Sequence, residues 1–323
     1  MQSKKPLIEA HGLTKKYAVR AGAGFAKKEI RAVDGLDLNI YPGEVFGLVG
    51  ESGCGKTTAG HLLAGLLPPS EGGVAYEGAS MGGMRAAELR RMRREVQVVF
   101  QDPYAALNPK KTVGWTVEEP LKIHFRYDRA TRRRKVVETL ASVGLDESFL
   151  SRYPGELSGG QRQRVSIAAA LMLEAKMLVT DEAVSALDVS IQAQILNLLK
   201  DLQRDRNLTY LFISHDLNVV QYMSDRIGVM YLGRLVEYGS VEDVYADPRH
   251  PYTRALLSSI LSPAEERGTR IPLTGEVPSL LSLPTGCAFH PRCPRLRENC
   301  LKGRPDLREL SPGHFAACLH ADW

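Results

Sequence analysis

Two stretches of the chain carry residues whose types and spacing suit a bound phosphate. The first is Gly50-Glu51-Ser52-Gly53-Cys54-Gly55-Lys56-Thr57, which fits the pattern G-x-x-x-x-G-K-[ST]. Its glycines let successive backbone N–H groups turn inward toward phosphate oxygens. A helix starting here adds a partial positive charge at the same place. Lys56 can reach the outer phosphates, and the Thr57 hydroxyl can ligate Mg²⁺. Cys54 reads as a small filler in this loop, although a helix N-terminus would lower its thiol pKa. The second stretch is Met177-Leu178-Val179-Thr180-Asp181-Glu182, an apolar run ending in two carboxylates. Asp181 can hold Mg²⁺ through water. Glu182, one residue on, points elsewhere and can accept a proton from an attacking water. Gln101 ends the run VQVVF and could ligate Mg²⁺ or orient water. His215 follows YLFIS and could contact a γ-phosphate. Taken alone, each of these two reads equally well as a structural or surface residue.

A third constellation lies near the C-terminus. Cys287, Cys293, Cys300 and Cys318 follow the spacing C-x5-C-x6-C-x17-C. In a reducing compartment such a cluster points to metal before disulfides. The absence of C-x-x-C weakens a zinc-ribbon reading. Four cysteines suit an iron–sulfur cluster or Zn²⁺, and thiols that only pack remain open. His290, His314 and His320 lie nearby and could replace a cysteine, or be exposed or help the fold. Two basic runs, Arg90/Arg91/Arg93/Arg94 and Arg132/Arg133/Arg134/Lys135, read first as solvated helix faces. Their functional alternative is attraction to anionic headgroups or a membrane partner. No aromatic stacking platform accompanies them, so nucleic acid is not expected.

These residues need elements to hold them. Residues 6–10, 36–40, 45–49, 96–100, 177–180, 210–214 and 227–232 are predicted strands, and 45–49 is apolar enough to be a buried central one. Helices are predicted over 56–67, within 116–152, and over 161–175, 190–204 and 252–261. Strand–helix alternation argues for an α/β domain with a largely parallel sheet. From about Asp247 Pro and Gly recur and periodicity fades, which marks a small appended module. The 323 residues suffice for about two domains. The net charge of +5 is too mild to name a nucleic-acid partner. No run of roughly 18 uncharged apolar residues occurs, so no membrane helix is expected. The N-terminus lacks the apolar region of a secretory signal, so the chain is expected to stay in the cytosol.

The string Leu157-Ser158-Gly159-Gly160-Gln161 resembles the signature of the ATP-binding cassette (ABC) ATPases. The order also fits that family: phosphate loop, Gln101, LSGGQ, Asp181-Glu182, Ser185-Ala186-Leu187-Asp188, then His215. The strings HPYTRALL (250–257) and GCAFHPRCP (286–294), with Cys300 and Cys318, resemble the ATPase subunits of dipeptide, oligopeptide and nickel importers. DEAVSALD (181–188) is similar to the second of two paired ATPases in that group. Ala183-Val184 stand where the wider family has Pro-Thr, which leaves Asp181 and Glu182 intact.

The resemblance implies a P-loop NTPase fold of α/β class: an ABC ATPase domain with a mixed sheet core over 1–245, a helical subdomain over about 102–165, and a C-terminal extension over 246–323 with the four cysteines. It implies that ATP contacts Tyr17, stacked on adenine, and Gly50 to Thr57 with Thr58. Mg²⁺ would be held through Thr57, Gln101 and Asp181. Glu182 would be general base, His215 would position the γ-phosphate, and Gln101 would link the metal to the membrane-facing surface. Ser158, Gly159, Gly160, Gln161 and Asp188 would contact the ATP of a partner subunit, since amides heading a helix bind phosphate. It tilts the cysteine module toward a [4Fe–4S] cluster, with Zn²⁺ as the alternative. Expected partners are a paralogous ATPase subunit, two membrane permeases and, indirectly, an extracytoplasmic binding protein, which places the chain at the cytoplasmic face of the membrane as a peripheral subunit. A soluble ABC ATPase uncoupled from transport is the alternative function. DNA-repair members carry a long coiled coil between phosphate loop and signature, translation members two cassettes, and exporters fused membrane segments; none is read here. A cluster-bearing sensor with a dead cassette is opposed by Lys56, Asp181, Glu182 and His215.

Overall fold

The computed structural model describes residues 5–20, 27–185, 187–260 and 271–321. Along the chain lie β1 (Ile8–Arg20), β2 (Lys27–Ile40), β3 (Val45–Val49), α1 (Lys56–Leu63), β4 (Glu71–Tyr76), β5 (Ala79–Ser80), α2 (Ala86–Glu95), β6 (Val96–Val99), α3 (Pro103–Ala106), α4 (Val113–His124), α5 (Arg129–Ser142) and α6 (Gly159–Leu171). Then follow β7 (Met177–Asp181), α7 (Val189–Arg206), β8 (Thr209–Ile213), α8 (Leu217–Met223), β9 (Arg226–Tyr231), β10 (Arg234–Ser240), α9 (Val241–Ala246), α10 (Pro251–Leu257), α11 (Glu298–Lys302), β11 (Arg308–Ser311) and β12 (His314–Ala316). The chain divides into two compact units, one of 1–40, 45–82 and 214–323, the other of 41–44 and 83–213.

The first unit holds an antiparallel sheet in the order β2-β1-β4-β5. The β1–β2 pairing runs from Ile8 opposite Ile40 to Arg20 opposite Lys27, with bulges. Its outer half is charged and exposed, and Lys16 there pairs with Glu29 at 3.4 Å and Glu71 at 2.6 Å. That polarity is why the sequence predicts only the two ends, 6–10 and 36–40. A second sheet is mixed: β3 pairs parallel with β9, while β9–β10, β10–β12 and β12–β11 are antiparallel. All five residues of β3 are buried. Gly47 lets β3 meet α8, since a Cβ there would lie 2.6 Å from Val220 and from Ser224. The β9–β10 hairpin closes through Leu232 and Gly233, both at positive φ (45° and 84°), the backbone of a two-residue turn matched to strand twist. The predicted module residues 265–270, the end of the predicted helix at 261 and Ala186 lie outside the described residues.

The second unit has a parallel sheet in which β7 pairs with both β6 and β8. Every residue of β7 and β8 is buried. Continuous apolar runs of this kind belong to strands covered on both faces. Burying each large aliphatic side chain contributes about 1.5–3 kcal/mol. The predicted helical stretch 116–152 resolves into α4, α5 and a 3-10 turn at Glu147–Ser151. α2 carries the first basic run, with Arg91 paired to Glu95 at 2.9 Å. In the second run Arg132 pairs with Glu118 at 2.8 Å, Arg133 with Glu147 at 2.6 Å and Lys135 with Glu174 at 3.5 Å, as a solvated, internally neutralised face requires. Among the described residues no helix is long and apolar enough to cross a membrane.

Candidate functional site

The phosphate loop lies in the first unit, between buried β3 and α1. Gly50 (φ 149°) and Gly55 (φ 106°) sit where L side chains rarely go. A Cβ on Gly50 would run into the Met230 carbonyl, and one on Gly55 into the Ala32 carbonyl. Only glycine therefore fits at positions 50 and 55, as the motif requires. Lys56 is 5% exposed, and its Nζ donates to the carbonyls of Gly50 at 2.7 Å and Glu51 at 3.1 Å. Cys54 is buried against this ammonium, and burial pushes its thiol pKa up rather than down. The predicted lowering by the helix terminus is outweighed by desolvation, which disfavours the thiolate. Ser52 and Thr57 are exposed, and Thr58 is half-buried. His215 is exposed and directly follows Ser214, whose N–H donates to the Leu48 carbonyl at 3.3 Å. That bond holds the His215 turn beside the strand feeding the phosphate loop. Tyr17, on β1, is 36% exposed, with the Lys15 ammonium 5.6 Å from its ring centre.

The carboxylate pair and the signature lie in the second unit. Asp181 ends β7 and is 4% exposed. Glu182 follows with φ 47°, a left-handed conformation uncommon for a residue with a side chain. Hydrogen bonds hold it there. Its N–H donates to the Ile213 carbonyl at 3.0 Å, and its carbonyl accepts from the Ser185 N–H at 3.1 Å and hydroxyl at 2.9 Å. The Gln101 amide donates to the Glu182 carboxylate at 3.0 Å, so two predicted residues meet that are 81 positions apart. Ser158 caps α6 through a reciprocal pair with Gln161: the Gln161 N–H donates to the Ser158 hydroxyl at 3.3 Å, and the Ser158 N–H donates to the Gln161 side chain at 3.0 Å. A Cβ on Gly160 would run into the Ile191 side chain of α7. Asp188 is exposed at the start of α7 and makes no capping bond.

Two partners of the phosphate loop are not predicted from the motifs. Arg292 donates to both oxygens of Glu51, at 2.7 and 3.0 Å. The Tyr252 hydroxyl accepts from the Glu51 N–H at 2.9 Å. Both residues fall inside the strings HPYTRALL and GCAFHPRCP, which mark them as unusual without saying what they touch.

Cys287, Cys293, Cys300 and Cys318 line one small cavity with His290 and His320. All four thiols are free. Burial pushes Cys287 up to about 11, and Cys293 and Cys318 are raised by the same cause. Among the described residues no group of three or more His, Cys, Asp or Glu side chains is gathered so as to hold a metal ion. His314 instead bonds the buried Glu237 carboxylate at 2.7 Å.

A phosphate loop after one buried strand, a carboxylate pair after another and a mixed sheet with flanking helices define an ATPase of the P-loop class. Residues 33–185 match the family described as ABC transporter, and residues 236–300 match the oligopeptide/dipeptide transporter C-terminal region. The chain is 47% identical over 323 residues to the oligopeptide transport ATP-binding protein AppF of Bacillus subtilis, covering 98% of each. It is 46% identical over 319 residues to the dipeptide transport ATP-binding protein DppF of Haemophilus influenzae, covering 98% of this chain and 97% of that one. Among solved structures it is similar to the dimeric ATP-binding cassette MJ0796 in a post-hydrolysis state with ADP and Pi, with 31% identity, a TM-score of 0.64, and coverage of 72% of this chain and 98% of that one. The chain belongs to the ABC transporter family, in the group of ATP-binding subunits that carry the oligopeptide/dipeptide C-terminal region.

Proposed function

We propose that this chain is the ATP-hydrolysing subunit of a membrane importer for peptides. The observation that carries the reading is a fully formed phosphate loop in the same chain as a C-terminal region of the oligopeptide/dipeptide type. In this reading Lys56 moves its three donors from the loop carbonyls to the outer phosphates, and Tyr17 stacks on the base. Thr57, Gln101 and Asp181 supply the hydroxyl, amide and carboxylate oxygens that suit Mg²⁺, which when bound neutralises charge on the phosphates. Glu182 takes the proton of the attacking water, and the Gln101 amide orients its carboxylate. His215 positions the γ-phosphate. Ser158, Gly159, Gly160, Gln161 and Asp188 meet the nucleotide of a second, paralogous cassette, because the first turn of α6 offers amides to an anion. Closing on two nucleotides and reopening after hydrolysis would drive two permease subunits, which hold this chain at the cytoplasmic face of the membrane, while an extracytoplasmic protein delivers the peptide.

The same reading assigns a metal centre to the C-terminal extension, the segment 246–323 appended to the cassette over 1–245 with its helical subdomain near 102–165. Four free thiols lining one cavity are the donor set of a [4Fe–4S] cluster, and Zn²⁺ is the alternative. The thiols must turn further inward and lose their protons to ligate, which burial of the free thiols opposes. Anaerobic purification with a visible spectrum and metal analysis decides it: broad visible absorption with about four irons is expected for such a cluster, and protein with neither iron nor zinc removes the assignment.

Affinity capture of the chain tests the function: two membrane-spanning subunits should come with it, and ATP hydrolysis by the complex should rise with a peptide-loaded binding protein. An active ATPase that purifies alone and ignores membrane subunits would favour the uncoupled alternative. Lys56→Ala should lower nucleotide affinity and hydrolysis together, because the outer phosphates lose their cation; unchanged ATP binding in a titration would count against the phosphate-loop assignment.

A further inference from the structure

Glu51 is an awkward residue for a loop that receives phosphates. Its carboxylate brings a negative charge beside a site built for negative ligands, and like charges at close range repel. The structure disposes of that charge from the far end of the chain. The Arg292 side chain is 4% exposed, and its guanidinium takes both Glu51 oxygens, at 2.7 and 3.0 Å. This two-pronged geometry fixes direction as well as charge. The Tyr252 hydroxyl takes the Glu51 N–H at 2.9 Å, so side chain and backbone of one loop residue are both held from the C-terminal third. The anchors are themselves rigid. Tyr252 is fully buried, with its ring 4.7 Å from Tyr231 and 5.5 Å from Phe289. The Arg292 N–H donates to the Phe289 carbonyl at 3.0 Å. Arg292 therefore stands on the same packed aromatic cluster that holds Tyr252.

We propose that Arg292 is a positioning residue for nucleotide binding: from the cysteine-bearing extension it neutralises Glu51 and holds the carboxylate away from the phosphates, with Tyr252 fixing the Glu51 backbone. The extension is then part of the nucleotide site rather than an appendage. The inference rests on the phosphate loop binding ATP, as in the proposed function, and needs no metal in the thiol cavity.

The sign of the effect separates this from a merely structural contact. In the full-length chain, a fluorescent, hydrolysis-resistant ATP analogue with Mg²⁺ is titrated into wild type, Arg292→Ala, Glu51→Gln and the double variant, each first checked for a cooperative melt. Arg292→Ala leaves the carboxylate uncompensated and should weaken binding ~10-fold, a usual size for coupling between distinct sites. Adding Glu51→Gln removes the offending charge and should restore most of the lost affinity. If Arg292→Ala does not fold, Arg292→Lys and Tyr252→Phe carry the test. Lysine keeps the charge and loses the fork, and phenylalanine removes only the acceptor for the Glu51 N–H; each should bind several-fold more weakly than wild type. Wild-type affinity in folded Arg292→Ala, or in both Arg292→Lys and Tyr252→Phe, overturns the role. So does a double variant that binds no better than Arg292→Ala alone. Failure of wild type to bind any nucleotide would overturn the functional reading beneath it.

Discussion

At the scale of single residues, Glu182 shows most directly how geometry serves chemistry. A left-handed backbone at a residue with a side chain costs about 1–3 kcal/mol and persists only where the surroundings enforce it. Here the bonds to Ile213 and Ser185 enforce it, and the result turns the Glu182 carboxylate toward the Gln101 amide. Glu182→Gln keeps the shape and removes the basicity. Hydrolysis should fall ~100- to 10,000-fold, the usual contribution of a positioned base. Nucleotide binding should survive, so that ATP holds two cassettes together as a larger species on gel filtration. Near wild-type turnover in this variant would remove Glu182 from the role. The identity of Glu182 was legible in the sequence, because a carboxylate pair after an apolar strand is a pattern of residue types. Its strained φ was not, because strain at a non-glycine residue leaves no mark in composition. The Arg292–Glu51 pair escaped for a related reason: it joins residues 241 positions apart, and nothing local in either string announces the other.

At the scale of elements, the legible parts are those where one force dominates. β3, β7 and β8 are five-residue strands built mainly of apolar side chains and buried throughout, and the sequence places them within a residue or two. Gly50 and Gly55 of the phosphate loop are legible because a Cβ at either would collide with backbone. The outer β1–β2 hairpin and β10 to β12 were missed. Their residues alternate charge and apolarity irregularly, and their pairing depends on partners distant in sequence: β12 joins β10 through Glu237 opposite Ala316 and Tyr238 opposite Phe315. The signature helix α6 combines both kinds of constraint. Its cap is local and readable, whereas the need for glycine at 160 comes from Ile191 on α7. Gly160→Ala should therefore overpack this contact and destabilise by ~1–3 kcal/mol, although alanine favours helices. Urea unfolding checks it; an unchanged or raised midpoint would mean that Ile191 moves aside freely.

At the scale of the whole molecule, charge placed at a few buried points ties distant parts of the chain together. Asp34 on β2 is the clearest case, with a side chain 3% exposed and three arginines on it: Arg31 at 2.8 Å, Arg234 at 2.8 Å and Arg304 at 2.9 Å. These come from β2 itself, from β10 and from the C-terminal segment, so one carboxylate binds three stretches of the first unit. Burial alone would raise the Asp34 pKa. The hydrogen bonds from Arg31 and Arg234 outweigh it and hold the group at about 2. Arg304 is pushed the other way, its own pKa lowered by burial and by neighbouring Arg234, so its share of the hold is smaller. A carboxylate held below its ordinary value of 3.8 stabilises the fold in full above about pH 4, and that contribution is lost as pH falls from 4 to 2. The difference between the two values corresponds to ~2 kcal/mol. Asp34→Asn also leaves three partly exposed arginines without their shared counter-charge, a repulsion that solvent screens, so its cost at neutral pH should be ~2 kcal/mol or somewhat more. The gap in unfolding midpoint between wild type and Asp34→Asn should be widest near neutrality and close toward pH 2, where wild-type Asp34 becomes protonated. Raised salt should narrow it modestly, because the Arg31 side chain is 45% exposed and screened by ions. A gap that stays constant from pH 7 to pH 2 would show that Asp34 acts by packing and hydrogen bonding alone, and that the three arginines are balanced by other means.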